Sequence, residues 1–353
     1  MRKVFSMAML IVGTMIGAGF CSGRELVSFF GREISIFVAP VCGACIFCVC
    51  VLFLSVGRAV QKRSFGEVNS VLLGKVKVVA NLLLLCNSAI VLGAMVAGLD
   101  TLFAPLLPLP VAGTLAAVLC VLVAGKGIAG LLNCNGVVVP VIIVALVAVT
   151  LGSLYCAADV ACLGRFSAFT LPAAVTYVSM NMMLASTVLT TAEGFSKKQI
   201  LAGSGIAAAC ITLLLALLIA SVNATGYYDA EMPVLQMASA LGKGAQIALA
   251  VALGVSIFTT MLTAVGGLYG YLRAWGGGKL FSGAVTVLIG VALSRLGFVR
   301  VVSLFYPMVG VAGFFYLGVC LAFIKRHKKK VPHQDPTRIR TVEFGGADGD
   351  KCV

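Results

Sequence analysis

The chain has 353 residues, 61% of them hydrophobic and 11% charged, with a mean hydropathy of +1.10. These values exclude a soluble globular domain and fit a polytopic membrane protein of all-α class, built from apolar runs of helix-spanning length. The formal charge of +14 would suit a nucleic-acid partner, but the position of the basic residues along the chain argues against one.

The first apolar run, near 4–30, holds the most informative stretch, Ile11 to Leu26. Gly13, Gly17, Gly19 and Gly23 crowd it, and each glycine in a helix interior costs roughly 1 kcal/mol relative to alanine. A continuous helix is therefore not expected; the helix should stop near Gly17 and restart near Gly23. Ser22 to Glu25 reads as a capping box for the restart. An unwound backbone is tolerated in hydrocarbon only beside protein or a wet cavity, so the break implies a midplane site. Freed carbonyls there suit a cation, and exposed amides suit an anionic group. The competing reading is that these glycines only permit close helix packing.

Further runs fall near 34–57, 78–101, 111–126 and 127–155, then near 168–193, 200–222, 243–270, 280–296 and 298–324, which makes ten expected spans. Lys126 divides the fourth from the fifth. The short leading charge pair, Arg2 and Lys3, is not followed by a small-residue cleavage site, so no removable signal peptide is expected. With both termini cytoplasmic, most of the 26 Lys and Arg fall on one side of the membrane, leaving Arg24, Arg32, Arg165, Lys243, Arg295 and Arg300 in the membrane or outside. The basic excess therefore reads as orientation and contact with anionic lipid in the cell membrane, not as a nucleic-acid surface. Residues 326–353 form a basic, polar tail with the composition of disorder.

Most of the 13 cysteines lie in apolar runs, where a thiol behaves as a small hydrophobe. The cluster Cys42, Cys45, Cys48 and Cys50 lacks metal-site spacing, and Cys156 with Cys162 flanks a short loop and is the one candidate pair. His327 and His333 lie in the tail. No nucleophile elbow, phosphate loop or metal-ligand set is present, so no enzyme and no cofactor is expected.

Five spans followed by five suggest an internal repeat, about 1–160 and 161–325, and an odd number of spans per copy inverts one relative to the other. In the sixth run, Ser179 and Asn181 stand mid-membrane and mark a second candidate break facing the first. The alternative for Asn181 is an interhelical hydrogen bond worth about 0.6–2 kcal/mol. Glu25 has two readings as well: a helix cap, or a cavity group that binds a cationic solute or carries a proton. Arg24 either pairs with a carboxylate across the outer vestibule or snorkels to the surface. Asp100 and Glu193 sit near span ends, where hydration makes them ordinary.

Gly13 to Glu25, together with Tyr177 to Asn181 and Ile257 to Thr260, resembles the YkvI-type membrane proteins, grouped with the amino acid, polyamine and organocation transporters of LeuT-like fold. The resemblance runs over about residues 1–325, and the glycine motif carries most of it. The usual pattern has Gln where this chain has Arg24. The resemblance implies a 5+5 inverted repeat with helices 1 and 6 discontinuous, and a solute site at Gly17, Ala18, Gly19, Ser179 and Asn181. It also implies a sodium site formed by the carbonyls of Gly13, Ile16 and Ser256 and the hydroxyls of Thr259 and Thr260, an all-oxygen set suited to a hard cation. Phe20 stands where relatives with a second sodium site have Asn, so one sodium site at most is implied. No Lys occurs between Lys126 and Lys197, which disfavours a lysine-borne proton at the sodium position. Against the ion site, threonines in spanning helices readily bond back to their own carbonyls.

The expected function is secondary active transport of a small organic solute, an amino acid or related amine, coupled to Na+ by alternating access. The alternatives are a sensor that binds solute without moving it, and a proton-coupled transporter using Glu25. Possible gating is assigned to Arg24 and Glu25, and the expected partners are the solute and the bilayer.

Overall fold

A computed structural model describes residues 2–62, 65–74, 77–107, 109–126, 135–157, 164–192 and 194–330. The first run is three pieces: α1 (Arg2–Met15), α2 (Ala18–Ser22) and α3 (Arg24–Phe30). Then come α4 (Val38–Val60), α5 (Phe65–Leu73), α6 (Lys77–Phe103), α7 (Ala112–Lys126) and α8 (Asn135–Cys156). The second half holds α9 (Thr170–Leu189), α10 (Lys197–Thr225), α11 (Pro233–Ala240), α12 (Lys243–Ala274), α13 (Lys279–Ser294), α14 (Phe298–Arg300) and α15 (Tyr306–Lys330). A π-helical turn, Val301–Phe305, joins α14 to α15. Among the described residues the β pairing is a single bridge, Ile34 with Arg165.

Seven helical segments among the described residues are long and apolar enough to cross a membrane: α4, α6, most of α8, α9, α10, α12 and the α14–α15 segment. Shorter apolar helices lie in α1, α7 and α13, at the first, fourth and ninth expected runs. Lys126 ends α7 as expected; residues 127–134 fall outside the described set, as do Glu193, Cys162 and the tail beyond Lys330. Cys156, the other member of the candidate pair, is exposed at the end of α8.

The core is continuous from α1 through α15, and α6 lies deepest, with an unbroken buried run from Val91 to Leu99. Helix pairs meet where side chains are small. Gly57 of α4 brings that helix onto the end of α9, where an added Cβ would stand 2.8 Å from the Thr190 carbonyl oxygen and 3.0 Å from that of Ala192. Across the two halves, α1 packs on α9, α4 on α10, α6 on α12 and α7 on α13.

Two local expectations are corrected. The helix restarts at Ala18 rather than Gly23, and Gly23 (φ 76°) is a left-handed kink between α2 and α3. Ser22 and Glu25 do not form a capping box. The Ser22 hydroxyl donates back to the Gly19 carbonyl at 2.9 Å and accepts only from the Arg24 amide, at 3.3 Å; the N-cap of α3 is Gly23, which has no side chain to close a box. The second correction is that α9 is a continuous helix through Ser179 and Asn181. No glycine interrupts residues 170–189, and several of its polar side chains bond back to the helix itself: Asn181 donates to Tyr177 O at 3.1 Å, Ser186 to Met183 O at 2.7 Å and Thr190 to Ser186 O at 2.7 Å, while the Ser179 hydroxyl is buried without a partner. Helix 6 is not discontinuous.

Candidate functional site

The break in the first run follows from lost amide pairing. The Ile16 amide still reaches Val12 O at 2.8 Å, but the Gly17 amide turns to Met15 O at 3.0 Å. The Gly13 carbonyl therefore loses its helical donor. Gly17 itself is extended (φ −92°, ψ −179°) and starts α2. Thr260 faces it, with Oγ1 3.6 Å from where a Cβ on Gly17 would stand, an ordinary contact distance.

This break borders a cavity of about 620 Å³ between α1, α8, α9 and α12. Gly13, Ile16, Gly17, Thr259 and Thr260 all line it. The cavity continues to Ser6, an exposed residue near the start of α1, so it reaches that face of the protein. Hydroxyls unremarked in the sequence add to its wall: Thr14, Thr187, Thr191 and Thr263. The signal was present in part, because Thr187 and Thr191, like Thr259 and Thr263, sit one helical turn apart and so share a face.

The implied ion ligands are only partly free. Thr259 Oγ1 donates its proton to Ser256 O at 3.0 Å, occupying the Ser256 carbonyl but leaving the threonine oxygen's lone pairs available. Ser256 is buried and does not line the cavity. Gly13, Ile16, Thr259 and Thr260 are thus brought together, while Ser256 stands behind them.

The expected solute residues divide. Gly17 faces the cavity, whereas Ala18 and Gly19 are buried in α2. Ser179 is 1% exposed and packs on Gly313 of α15, where an added Cβ would overlap its hydroxyl. Asn181 faces Glu25, which is 5% exposed and folds back so that its Oε1 occupies the space over the bare Cα of Gly19. Its Oε2 has no partner. Glu25 is therefore a buried interior carboxylate rather than a cap.

On the opposite face, among the described residues, α2 and α3 are tied to the loop before α11. Arg24 donates through Nη1 to the carbonyls of Tyr228 and Ala230, at 3.1 and 3.3 Å, on the loop that leads into α11. α11 lies against α2, and Val234 and Pro233 cover Gly23. The Asn223 side chain accepts from Ile34 N at 3.0 Å and donates to Ile34 O at 2.7 Å, and the Tyr228 hydroxyl donates to Asn223 Oδ1 at 3.0 Å. Burial pushes the Tyr228 phenol up from its ordinary value. Arg32 donates through Nη2 to both carboxylate oxygens of Asp229 at 2.7 Å, and Arg165 pairs with Glu33 at 3.2 Å. Arg24 is thus bound to loop carbonyls rather than to a carboxylate.

No family model matches the sequence. Over 342 residues it is 25% identical to the uncharacterized membrane protein YkvI of Bacillus subtilis (strain 168), covering 93% of this chain and 96% of that one. Among solved structures, it aligns with Mhp1, a nucleobase-cation-symport-1 family transporter in a closed conformation with bromovinylhydantoin bound. That alignment has TM-score 0.63 and 15% identity, over 93% of this chain and 79% of Mhp1. The fold is LeuT-like. MhsT in complex with L-phenylalanine aligns nearly as well, at TM-score 0.61 and 17% identity over 90% of each chain. The protein is an integral membrane protein of this transporter fold, and the fold places its broken first helix beside the cavity.

Proposed function

We propose that the protein is a secondary active transporter that moves a small organic solute by alternating access and is coupled to sodium. The observation that carries this reading is the meeting of the α1 break with Thr259 and Thr260 on one cavity wall. There an unwound backbone supplies carbonyl oxygen and α12 supplies hydroxyl oxygen, the chemistry a hard cation needs. A cavity that reaches one face, with Arg24 and α11 sealing the other, is the arrangement of one end state of an alternating-access cycle. The packing of α1 on α9, α4 on α10, α6 on α12 and α7 on α13 is what a two-fold axis between residues 1–160 and 161–325 would produce, and it supports the inverted repeat. In this reading the cavity face is cytoplasmic and both termini lie on that side.

The solved relatives bind small organic molecules, a hydantoin in Mhp1 and phenylalanine in MhsT, and a solute of that size suits a cavity of about 620 Å³. The test is uptake by reconstituted vesicles of labelled amino acids, amines and nucleobases, with and without an imposed sodium gradient. Accumulation of one solute only with inward sodium is the expected result. Solute binding with no uptake under any gradient would replace the transporter by a sensor.

A further inference from the structure

Glu25 is the one carboxylate buried in the membrane core among the described residues, and the cavity reading above does not use it. It stands beyond the floor of the cavity, which stops at Ile16 and Gly17, and beneath the cover of α11. No ion pair engages it among the described residues, and its neighbour Arg24 turns away to the carbonyls of Tyr228 and Ala230. Every other group set against it is neutral or acidic: Cys21 from α2, Tyr177 and Asn181 from α9, and Tyr306 from the start of α15. The Tyr177 hydroxyl, like Glu25 Oε2, is buried without a partner. The Tyr177 ring makes edge contacts with Phe29 at 5.3 Å and Phe30 at 5.7 Å, so aromatic rings stand together on this side of the core.

The backbone around this point has little to offer a cation. In α2 the carbonyls of Gly17, Gly19 and Phe20 accept from Cys21 N, Ser22 Oγ and Gly23 N, and the unbroken α9 frees none. A buried carboxylate oxygen beside an unpaired phenol and a π-face is the complement of a small ammonium group. Gly19 is what admits the carboxylate, since any side chain there would overlap Oε1.

We propose that Glu25, occluded beyond the cavity floor in this state, becomes the anionic anchor of the solute when the cavity deepens past Gly17, so that the transported molecule carries a protonated amine that pairs with Glu25 and is flanked by Tyr177 and Asn181. This rests on the transporter reading and names its substrate class. Neutral solutes of equal size bind poorly because they leave the carboxylate unpaired.

The test is thermal stabilisation of the purified full-length protein by a fixed panel: the amino acids, putrescine, ethanolamine and tyramine, each beside the counterpart in which every amine is acetylated, so that no protonated amine remains. At least one amine should stabilise the wild type, with its N-acetylated partner about tenfold weaker or more. Glu25→Gln should weaken that amine by about ten- to a hundredfold, and Gly19→Ala, which displaces the carboxylate without removing it, should weaken it too. If neither variant folds, the wild-type comparison of amine with N-acetyl amine decides alone. Equal binding of an acetylated partner, no stabilisation by any amine, or retention of affinity by Glu25→Gln within about twofold would each overturn the proposal. Sodium-driven uptake of a neutral solute would sink it while leaving the transporter intact; amine binding without uptake would do the reverse.

Discussion

Thr260 Oγ1 and Gly17 face each other across the α1 break, with 3.6 Å between the hydroxyl oxygen and the position a Cβ on residue 17 would take. That spacing is ordinary van der Waals contact, so the geometry separates two substitutions. Gly17→Ala should fit and leave uptake measurable. Leucine at 17 and 19 together would fill the cavity floor and overlap Glu25, abolishing uptake while membrane insertion, read by expression in the membrane fraction, stays intact. Uptake retained by the leucine pair would mean that the glycines serve packing alone.

Thr259→Val with Thr260→Val keeps volume but removes both hydroxyl oxygens from the cavity wall. If each ligand contributes about 1.5–3 kcal/mol, as hydrogen bonds to charged groups do, one valine should weaken sodium binding about ten- to a hundredfold. Solute affinity should fall with it by linkage. A proton-driven carrier would behave differently: the valine pair would matter little, Glu25→Gln would stop uptake, and a pH gradient alone would drive it. Uptake by the valine pair at wild-type rate without sodium would eliminate the ion site.

The sealed face offers a contrast between two arginines. Arg24 is half-buried and holds two loop carbonyls, whereas the Arg32–Asp229 side chains are 66% and 83% exposed. An exposed ion pair contributes about 0–1 kcal/mol, so Asp229→Asn should change neither stability nor gating detectably. Arg24→Met keeps the aliphatic stem but frees the loop, and should raise labelling at Val234→Cys by a membrane-impermeant thiol reagent several-fold. Equal labelling with and without Arg24 would mean that α11 is held by packing alone.

Gly57→Val tests the contact between α4 and α9. Carbonyl oxygens of Leu189, Thr190 and Ala192 stand 3.1, 2.8 and 3.0 Å from the added Cβ, and backbone cannot swing aside as a side chain can. The cost should be about 1–3 kcal/mol or more, read as a lower melting temperature in detergent. An unchanged melting temperature would show that the two helices can separate freely there.

Reporter fusions after Lys330 should be active only for the inside-sensitive reporter. Basic residues stand at the start of α1 and at the ends of α4 and α12, and a positive-inside bias predicts that these ends and Lys330 lie inside. An external signal would reverse the orientation and assign the cavity to the outside.

The helix break was legible in the sequence because its cause is local: four glycines between Gly13 and Gly23 make continuous helix expensive wherever the chain is placed. The spans were legible for the same reason, since their length and hydropathy are properties of each segment alone. The fate of the polar groups was not. Asn181 and its neighbouring serine and threonine side chains could bond back within their own helix or open it, and only the packed structure, with α15 against Ser179, showed an intact α9. Glu25 shows the division most clearly. Its sequence position satisfied a capping box, but the left-handed kink at Gly23 turned the carboxylate inward onto Gly19, from which only a long-range arrangement of α9 and α15 makes a site. Backbone cost is set by the residue itself, whereas the partner of a buried polar side chain is set by whatever the fold brings beside it.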